Sequence, residues 1–257
     1  MSRSLRLMFL LSLAGKIAAV AIFRTHASFL WVAICFSGPD FLILYHLFAP
    51  SSQGICRVFT RFEAAGPEIW LTIDDGPDPE DTPRILDLLD RHGARATFFL
   101  VGERAARFPE LVAEILRRGH QVGHHTHTHP MRWFWCASSR RLDAELDDAL
   151  AALGRAGAHP EWFRSPVGIK NLLLWRALRE RDLQYVGWNV RSYDVRSRDP
   201  AAVRDGVMKR VRPGSIILMH EGPAMNPRVR VRALTLVLEA LAARRLACVL
   251  PLAAQLR

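Results

Sequence analysis

The sequence predicts a parallel α/β fold, either a barrel or an open sheet, in the part of the chain after residue 67. Short apolar runs typical of strands alternate with amphipathic segments typical of helices over about 190 residues. Glycine or proline separates many of these segments and marks the turns between them. Two adjacent carboxylates, Asp74 and Asp75, end the first run, which is the position where α/β folds place their chemistry.

The first predicted strand runs from Glu68 to Ile73, and the turn after it contains Gly76 and Pro77. Apolar residues at spacings of three and four predict the helices, and short continuous apolar runs predict the strands. The other predicted elements are, in order, a helix at 84–91, a strand at 96–101, a helix at 109–118, a strand at 121–123, a helix at 140–155, a strand at 162–164, a helix at 172–180, a strand at 184–190, a helix at 200–210, a strand at 215–219, a helix at 230–244 and a strand at 246–250.

The N-terminal region differs from the rest of the chain. Residues 5–23 are strongly apolar apart from Lys16, and a second apolar run at 28–48 is interrupted at 38–40. Each run is close to the ~20 residues that cross a bilayer as a helix. One crossing, a hairpin of two or a membrane-surface segment fits this pattern. A cleaved signal peptide and a pair of helices capping a soluble domain are the alternatives.

We therefore predict an apolar membrane-associated segment at 1–49, a linker at 50–67 and an α/β domain at 68–257, held at the inner or plasma membrane. Basic residues at both ends of the apolar region, Arg3 and Arg6 at its start and Arg57 and Arg61 after it, favour a cytoplasmic side for both flanks. A hairpin leaves the domain in the cytoplasm and a single crossing exports it, so the sequence leaves the side open.

The chain is basic, with a formal net charge of +10 carried almost wholly by arginine. Such an excess can attract nucleic acid or anionic lipid. No nucleic-acid motif accompanies it, and the densest basic run, at 228–232, lies at a predicted helix start. We predict a solvated or lipid-facing surface and no nucleic-acid partner.

The four cysteines share no short spacing, so no disulfide framework or zinc ribbon is predicted. The oligomeric state is left open.

Four of the ten histidines fall within six residues, at 124–129. His125 and His129 are four apart, so one turn of helix would present both imidazoles to one point. With a carboxylate from elsewhere, they would form a three-ligand metal site with open positions, which is typical of catalytic sites. His124 and His127 offer a competing geometry.

Five short motifs follow one another along the chain. They read Thr-Ile-Asp-Asp-Gly-Pro at 72–77, His-Thr-His-Thr-His-Pro at 125–130, Arg-Ser-Pro-Val-Gly at 164–168, Arg-Ser-Tyr-Asp-Val at 191–195 and Leu-Met-His at 218–220. With these motifs, the chain from about Glu68 onward resembles carbohydrate esterase family 4, the NodB-type polysaccharide deacetylases. The resemblance implies a distorted (β/α) barrel and a metal-dependent hydrolase that removes an N-acyl group, such as acetyl, from an amino sugar.

The resemblance also implies a role for each motif residue. Asp75, His125 and His129 would hold a divalent metal, most plausibly zinc, and Asp74 would be the general base. Arg164 would contact Asp74, His220 would be the acid that protonates the sugar amine, and Asp194 would orient its imidazole. A backbone N–H near Val167 would complete the oxyanion site.

The chain departs from the family pattern at three positions in these motifs. Val167 replaces a tyrosine, Arg191 replaces an acid and Val195 replaces a tryptophan of the substrate groove. These departures concern the substrate more than the chemistry. The expected substrate is therefore an amino-sugar polysaccharide or a membrane-held, lipid-linked saccharide, and deformylation of the latter would use the same groups. A catalytically inactive metal- or carbohydrate-binding protein of the same fold is the remaining alternative.

Overall fold

A sheet of parallel strands forms the centre of the domain in a computed structural model that describes residues 3–24, 29–223 and 225–257. The strands of this described part are β1 (Glu68–Gly76), β2 (Ala96–Leu100), β3 (Gln121–His124), β4 (Trp162–Phe163), β5 (Gln184–Tyr185), β6 (Val190–Arg191), β7 (Ile216–His220) and β8 (Ala247–Cys248). Their order across the sheet is β5-β4-β3-β2-β1-β7-β6, and β8 pairs with the start of β1. The sheet curves into a half-barrel, as the α/β prediction requires.

Two helices precede the first strand, and the others lie between the strands and cover the outside of the sheet. They are α1 (Arg3–Phe23), α2 (Phe29–Phe48), α3 (Asp81–Arg91), α4 (Gly102–Arg107), α5 (Pro109–Arg117), α6 (Ser139–Arg155), α7 (Leu174–Arg179), α8 (Pro200–Arg210) and α9 (Arg230–Ala243). Single 3₁₀ turns lie at Phe134–Cys136, Pro166–Gly168 and Ala253–Gln255. The sequence predicts α3 and every helix from α5 to α9, but it does not predict α4.

Strand β1 shows how the sheet separates core from site. Ile69, Leu71 and Ile73 are fully buried in the apolar layer between the sheet and the helices. Because side chains alternate along a strand, Thr72 and Asp74 point to the other face, inside the half-barrel. Asp74 therefore ends the inner face of the strand, at the edge where the carboxyl ends of β1, β2 and β7 meet.

The prediction of a single strand at 184–190 is wrong. Residues 184–185 pair with β4 and residues 190–191 pair with β7, so the two halves lie on opposite edges of the sheet. Between them, the N–H of Gly187 donates to the carbonyl of Phe59, whose own N–H donates to the carbonyl of Tyr185. The chain crosses the open side of the half-barrel here, and an apolar composition carries no sign of that crossing.

The segment at 50–67 contacts the domain along its length. Phe59 and Phe62 are buried with Trp70 and Leu256 in an apolar cluster inside the half-barrel. Phe59 bridges to Val186 beside β5, and Arg61 bridges to Ser215 at the start of β7. The segment thus spans the two edges of the sheet. The domain boundaries at 49 and 67 stay a prediction.

Helices α1 and α2 lie antiparallel against each other. The Ser4 hydroxyl donates to the carbonyl of Gly54, and Lys16 in the middle of α1 forms an ion pair of 2.9 Å with Asp40 in α2. The charge that interrupts the first apolar run is therefore paired within the helix pair. Both helices are long and apolar enough to cross a membrane.

Candidate active site

A carboxylate and two imidazoles converge at the carboxyl end of β1. Oδ1 of Asp75 lies 3.4 Å from Nε2 of His125 and 3.2 Å from Nε2 of His129, and all three ligand atoms lie within 4.8 Å of one another. Ligands at ~2.1 Å from a tetrahedral zinc ion stand ~3.4 Å apart. The spacing and the N, N, O donor set therefore fit a divalent metal.

The protonation of these groups also suits a ligand set. Burial alone would raise the pKa of the Asp75 carboxyl, but the hydrogen bond from His125 and the facing imidazoles hold that pKa well below its usual range. Burial, together with His125, lowers the pKa of His129 to about 4. Nδ1 of His125 lies 2.7 Å from the carbonyl oxygen of Arg164, which fixes the ring so that Nε2 faces Asp75.

The histidines converge through a loop and not through a helical turn, so the predicted geometry is wrong in this respect. After β3, Thr126 and His129 take left-handed backbone conformations, with φ of 63° and 56°. Glu145 on α6 holds the loop, since its carboxylate accepts bonds from the N–H groups of His127 and Thr128 at 2.9 Å. The local turn is thus fixed by a distant acid.

The two other histidines of the run do not join this group. His124 is fully buried, with Nε2 2.9 Å from the carbonyl oxygen of Leu146. Its second ring nitrogen accepts the N–H of Thr126. The ring of His127 packs over Gly102, where a Cβ would lie 2.6 Å from Nδ1. The competing geometry is therefore not realised.

Asp74 lies beside the histidines and is held from behind by Arg164. Both side chains are buried, and Nη1 of Arg164 donates to Oδ1 of Asp74 at 2.7 Å. The same guanidinium donates to Thr72 and to the carbonyls of Val186 and Gly187, so its position is fully determined. Oδ2 of Asp74 remains on the side of His125, at 3.8 Å from Nε2.

His220 and Asp194 form a second pair at the end of β7. Nδ1 of His220 lies 2.7 Å from Oδ1 of the fully buried Asp194, and the N–H of His220 donates to Oδ2. Burial alone would lower the pKa of His220, but the charge and hydrogen bond of Asp194 and the charges of Asp75 and Asp74 raise it to about 9. His220 is thus a cationic imidazole at neutral pH.

One cavity of about 410 Å³ connects these groups, since Asp74, Asp75, His125, His129, Asp194 and His220 all line it. Arg164 stands behind it. Four residues at this site have left-handed backbones, which cost energy for non-glycine residues. They are Asp75, His129, Val167 and Tyr193, with φ of 74°, 56°, 50° and 59°. Such strain at one cavity is a mark of a functional site.

Sequence reasoning missed several residues here. Arg104 on α4 lines the cavity and donates to the carbonyl of Asp75. The only sequence signal for Arg104 is a weak one: it follows β2 closely, and the end of β2 lies next to the end of β1. Glu145 carries a stronger one, since an acid beside Leu142 and Leu146 on the apolar face of a helix needs a buried partner. Met131, Trp188 and Arg196 also line the cavity, and no sequence signal marks them.

The parallel half-barrel carries an Asp-His-His group at its carboxyl edge, together with the pairs Asp74–Arg164 and His220–Asp194. This arrangement defines a hydrolase-type site. The family model for polysaccharide deacetylase matches residues 63–186. A peptidoglycan-N-acetylglucosamine deacetylase of Bacillus cereus is 37% identical over 170 residues, which are 65% of this chain and 60% of that protein. A chitooligosaccharide deacetylase of Sinorhizobium fredii is 35% identical over 168 residues, covering 65% of this chain and 77% of that protein.

The fold agrees with these similarities. The crystal structure of a peptidoglycan N-acetylglucosamine deacetylase superposes with a TM-score of 0.68 at 30% identity, covering 75% of this chain and 89% of that one. The chain belongs to the NodB-type polysaccharide deacetylases of carbohydrate esterase family 4. The predicted family and its distorted (β/α) barrel are confirmed.

Proposed function

We propose that the chain is a metal-dependent hydrolase that removes an N-acyl group from an amino sugar. The observation that carries the proposal is the meeting of Asp75, His125 and His129 with a separately held carboxylate, Asp74, in one cavity. The names of the relatives, which are peptidoglycan-N-acetylglucosamine and chitooligosaccharide deacetylases, support the substrate class.

Asp75, His125 and His129 would hold the metal, and zinc suits two imidazoles and one carboxylate best. When bound, such an ion supplies a Lewis acid that polarises the acyl carbonyl and lowers the pKa of a water to ~7. Thr128 and Glu145 act indirectly, because the hydrogen bonds between them hold the loop that brings His129 to Asp75.

The remaining residues would move protons. Asp74 accepts a proton from the attacking water through Oδ2, because Arg164 occupies Oδ1 and fixes the orientation of the carboxylate. His220 is protonated at neutral pH and donates a proton to the departing sugar amine. Asp194 holds its ring by Nδ1, so Nε2 is the atom that donates. The N–H of Val167 would bind the oxyanion.

We also propose that α1 and α2 anchor the domain as a membrane hairpin. A helix of 20 residues is ~30 Å long, the thickness of a hydrocarbon core, and large apolar side chains along both helices face outward. Since the helices are antiparallel, both flanks lie on one side. Their arginines, at 3, 6, 57 and 61, favour the cytoplasmic side. A reporter fused after Arg257 reads the side directly, and an external location would contradict the hairpin.

The activity is tested with the purified full chain in detergent, given N-acetylglucosamine oligomers and, in parallel, N-formylglucosamine. We expect acyl release that stops after metal is removed with EDTA and returns with one equivalent of zinc. Comparison of acetate with formate identifies the acyl group. If metal binds and neither acid is released from these compounds or from a lipid-linked N-acetylglucosamine, the chain is a metal- or carbohydrate-binding protein of this fold, and the proposal fails.

A further inference from the structure

We propose that the cavity opens at the membrane surface and takes an amino sugar joined to a lipid through a phosphate. The inference rests on the function proposed above and names its substrate class. Three features of the molecule carry it: the position of α2 relative to the cavity, an apolar rim, and two arginines without an acidic partner.

The end of α2 lies against the cavity wall. Nζ of the buried Lys170 donates to the carbonyls of Ala49 and Pro50 at 2.7 and 2.9 Å. The backbone N–H of Lys170 donates to the carbonyl of Leu47. A Cβ on Gly168 would lie 2.5 Å from Cβ of Pro50. Gly168 directly follows Val167, which lines the cavity. If α2 crosses the bilayer, its end marks the bilayer surface, and the cavity is therefore at that surface.

Exposed apolar side chains surround the mouth of the cavity. Among the described residues outside α1 and α2, seven large apolar side chains are exposed. Four line the cavity, and the ring of a fifth, Trp135, lies 5.8 Å from that of Phe48 at the end of α2. The four cavity residues are Met131, Val167, Tyr193 and Val195. We define them, with Trp135, as the apolar rim. Its continuity with α2 fits a lipid surface and not an extended soluble polymer.

Two guanidinium groups reach the same cavity without an acidic partner. Arg191 lies over the rings of Trp188 and Tyr193, at 5.9 and 5.2 Å, and Arg196 is exposed. In the described part of the chain, no carboxylate lies within 4.0 Å of either side chain's nitrogens. Guanidinium groups bind phosphate with two parallel hydrogen bonds. Together with the apolar rim, this pair fits a phosphate beneath the sugar and a lipid chain beyond it.

The test uses four substrates that carry the same N-acetylglucosamine. They are its dodecyl phosphodiester, its neutral dodecyl glycoside, its 1-phosphate and its soluble oligomer. The full chain is placed in phosphatidylcholine vesicles, and acetate release is measured. We expect kcat/KM to be highest for the dodecyl phosphodiester, by about tenfold or more over each compound that lacks the phosphate or the chain.

The arginines are tested in the double variant Arg191→Gln, Arg196→Gln. We expect its kcat/KM for the phosphodiester to fall to that of the neutral glycoside. Arg198→Gln is the matched control, because Arg198 is exposed on the same loop and does not line the cavity. It should retain the preference. A melting temperature near that of the unchanged chain shows that each variant is folded.

Three outcomes would overturn the inference. A preference for the phosphodiester that survives in the double variant removes the arginines as its cause. Highest activity on the soluble oligomer restores a polymer substrate and leaves the proposed function intact. If the double variant loses activity on all four substrates, and does so only in vesicles that contain phosphatidylglycerol, the arginines bind bilayer headgroups and not the substrate. If none of the four substrates releases acetate, the proposed function fails as well.

Discussion

The two walls of the cavity are built differently. On the wall formed by the ends of β1, β3 and β4, Asp74, His125 and Arg164 are buried and joined by hydrogen bonds to one another or to backbone carbonyls. On the wall formed by β6 and the loop after it, Tyr193 and Val195 are exposed, and the guanidinium of Arg191 lies over the rings of Trp188 and Tyr193. The first wall keeps Asp74, His125 and Arg164 of the family motifs. The second wall has Arg191 and Val195 where the family motif has an acid and a tryptophan. The difference indicates that the chemistry is fixed by a rigid network and the substrate by a surface that can vary.

We expect the largest effect on the first wall from the loss of a proposed metal ligand. His129→Ala should abolish metal binding and lower turnover by ~10³-fold, since the several kcal/mol that the metal contributes to the transition state are lost. His127→Ala is the matched control from the same loop, and it should retain metal because His127 is outside the ligand group. Metal content and acetate release measure both. Equal loss of metal in the two variants would contradict the ligand assignment.

The network on this wall also stabilises the fold. Arg164→Met leaves the buried carboxylate of Asp74 without its partner, which should lower the free energy of unfolding by ~3–5 kcal/mol. Adding Asp74→Asn to that variant removes the unpaired charge and should restore part of the loss. Denaturant unfolding of the three variants gives the values. A change below 1 kcal/mol in Arg164→Met would show that the pair is not structural.

The pair that connects the two walls should control the pH profile. As the proposed acid, His220 would act only when it is protonated, so kcat/KM should hold below its pKa and fall as the pH rises through it. Burial alone would lower this pKa, but the charge and hydrogen bond of Asp194, with smaller contributions from Asp75 and Asp74, raise it to about 9. In Asp194→Asn the raising charge is gone, so the alkaline fall should move to lower pH and activity at neutral pH should drop ~10²-fold. An unmoved alkaline limb would exclude His220 as the acid.

The second wall should respond more weakly, and mainly in substrate choice. Val195→Trp restores the aromatic side chain of the family motif, and a sugar stacked on that ring gains ~0.5–1.5 kcal/mol. We expect KM for soluble N-acetylglucosamine oligomers to fall by ~2–10-fold with kcat unchanged. Val195→Ala is the control, because it changes the apolar rim without adding a ring. If Val195→Trp lowers kcat and leaves KM unchanged, the wall takes part in the chemistry.

The sequence predicts the parts of this molecule that depend on local pattern. Alternating apolar segments predict the α/β fold, and Asp74 and Asp75 at the end of β1 predict the site's edge. The motif order brings His125, His129 and Arg164 to that edge, and the structure places them within contact distance of the two acids. The split between Asp74 and Asp75 follows from strand alternation and from the left-handed backbone of Asp75.

The sequence does not predict features that depend on distant partners. The loop of His125 and His129 is shaped by Glu145, about one helix further along the chain. The predicted strand at 184–190 divides because Phe59, from the predicted linker, pairs between its halves. Arg104 reaches Asp75 only because α4 begins next to the end of β1. In each case the deciding contact joins residues that no local periodicity connects.

The division of labour between the two adjacent acids is the central claim, and metal content measured beside turnover tests it most directly. Asp74→Asn and Asp75→Asn differ by one position and remove the same charge. We predict that Asp74→Asn keeps one metal per chain and loses turnover, whereas Asp75→Asn loses the metal and, with it, turnover. Loss of metal in Asp74→Asn, or full metal binding and turnover in Asp75→Asn, would contradict the account.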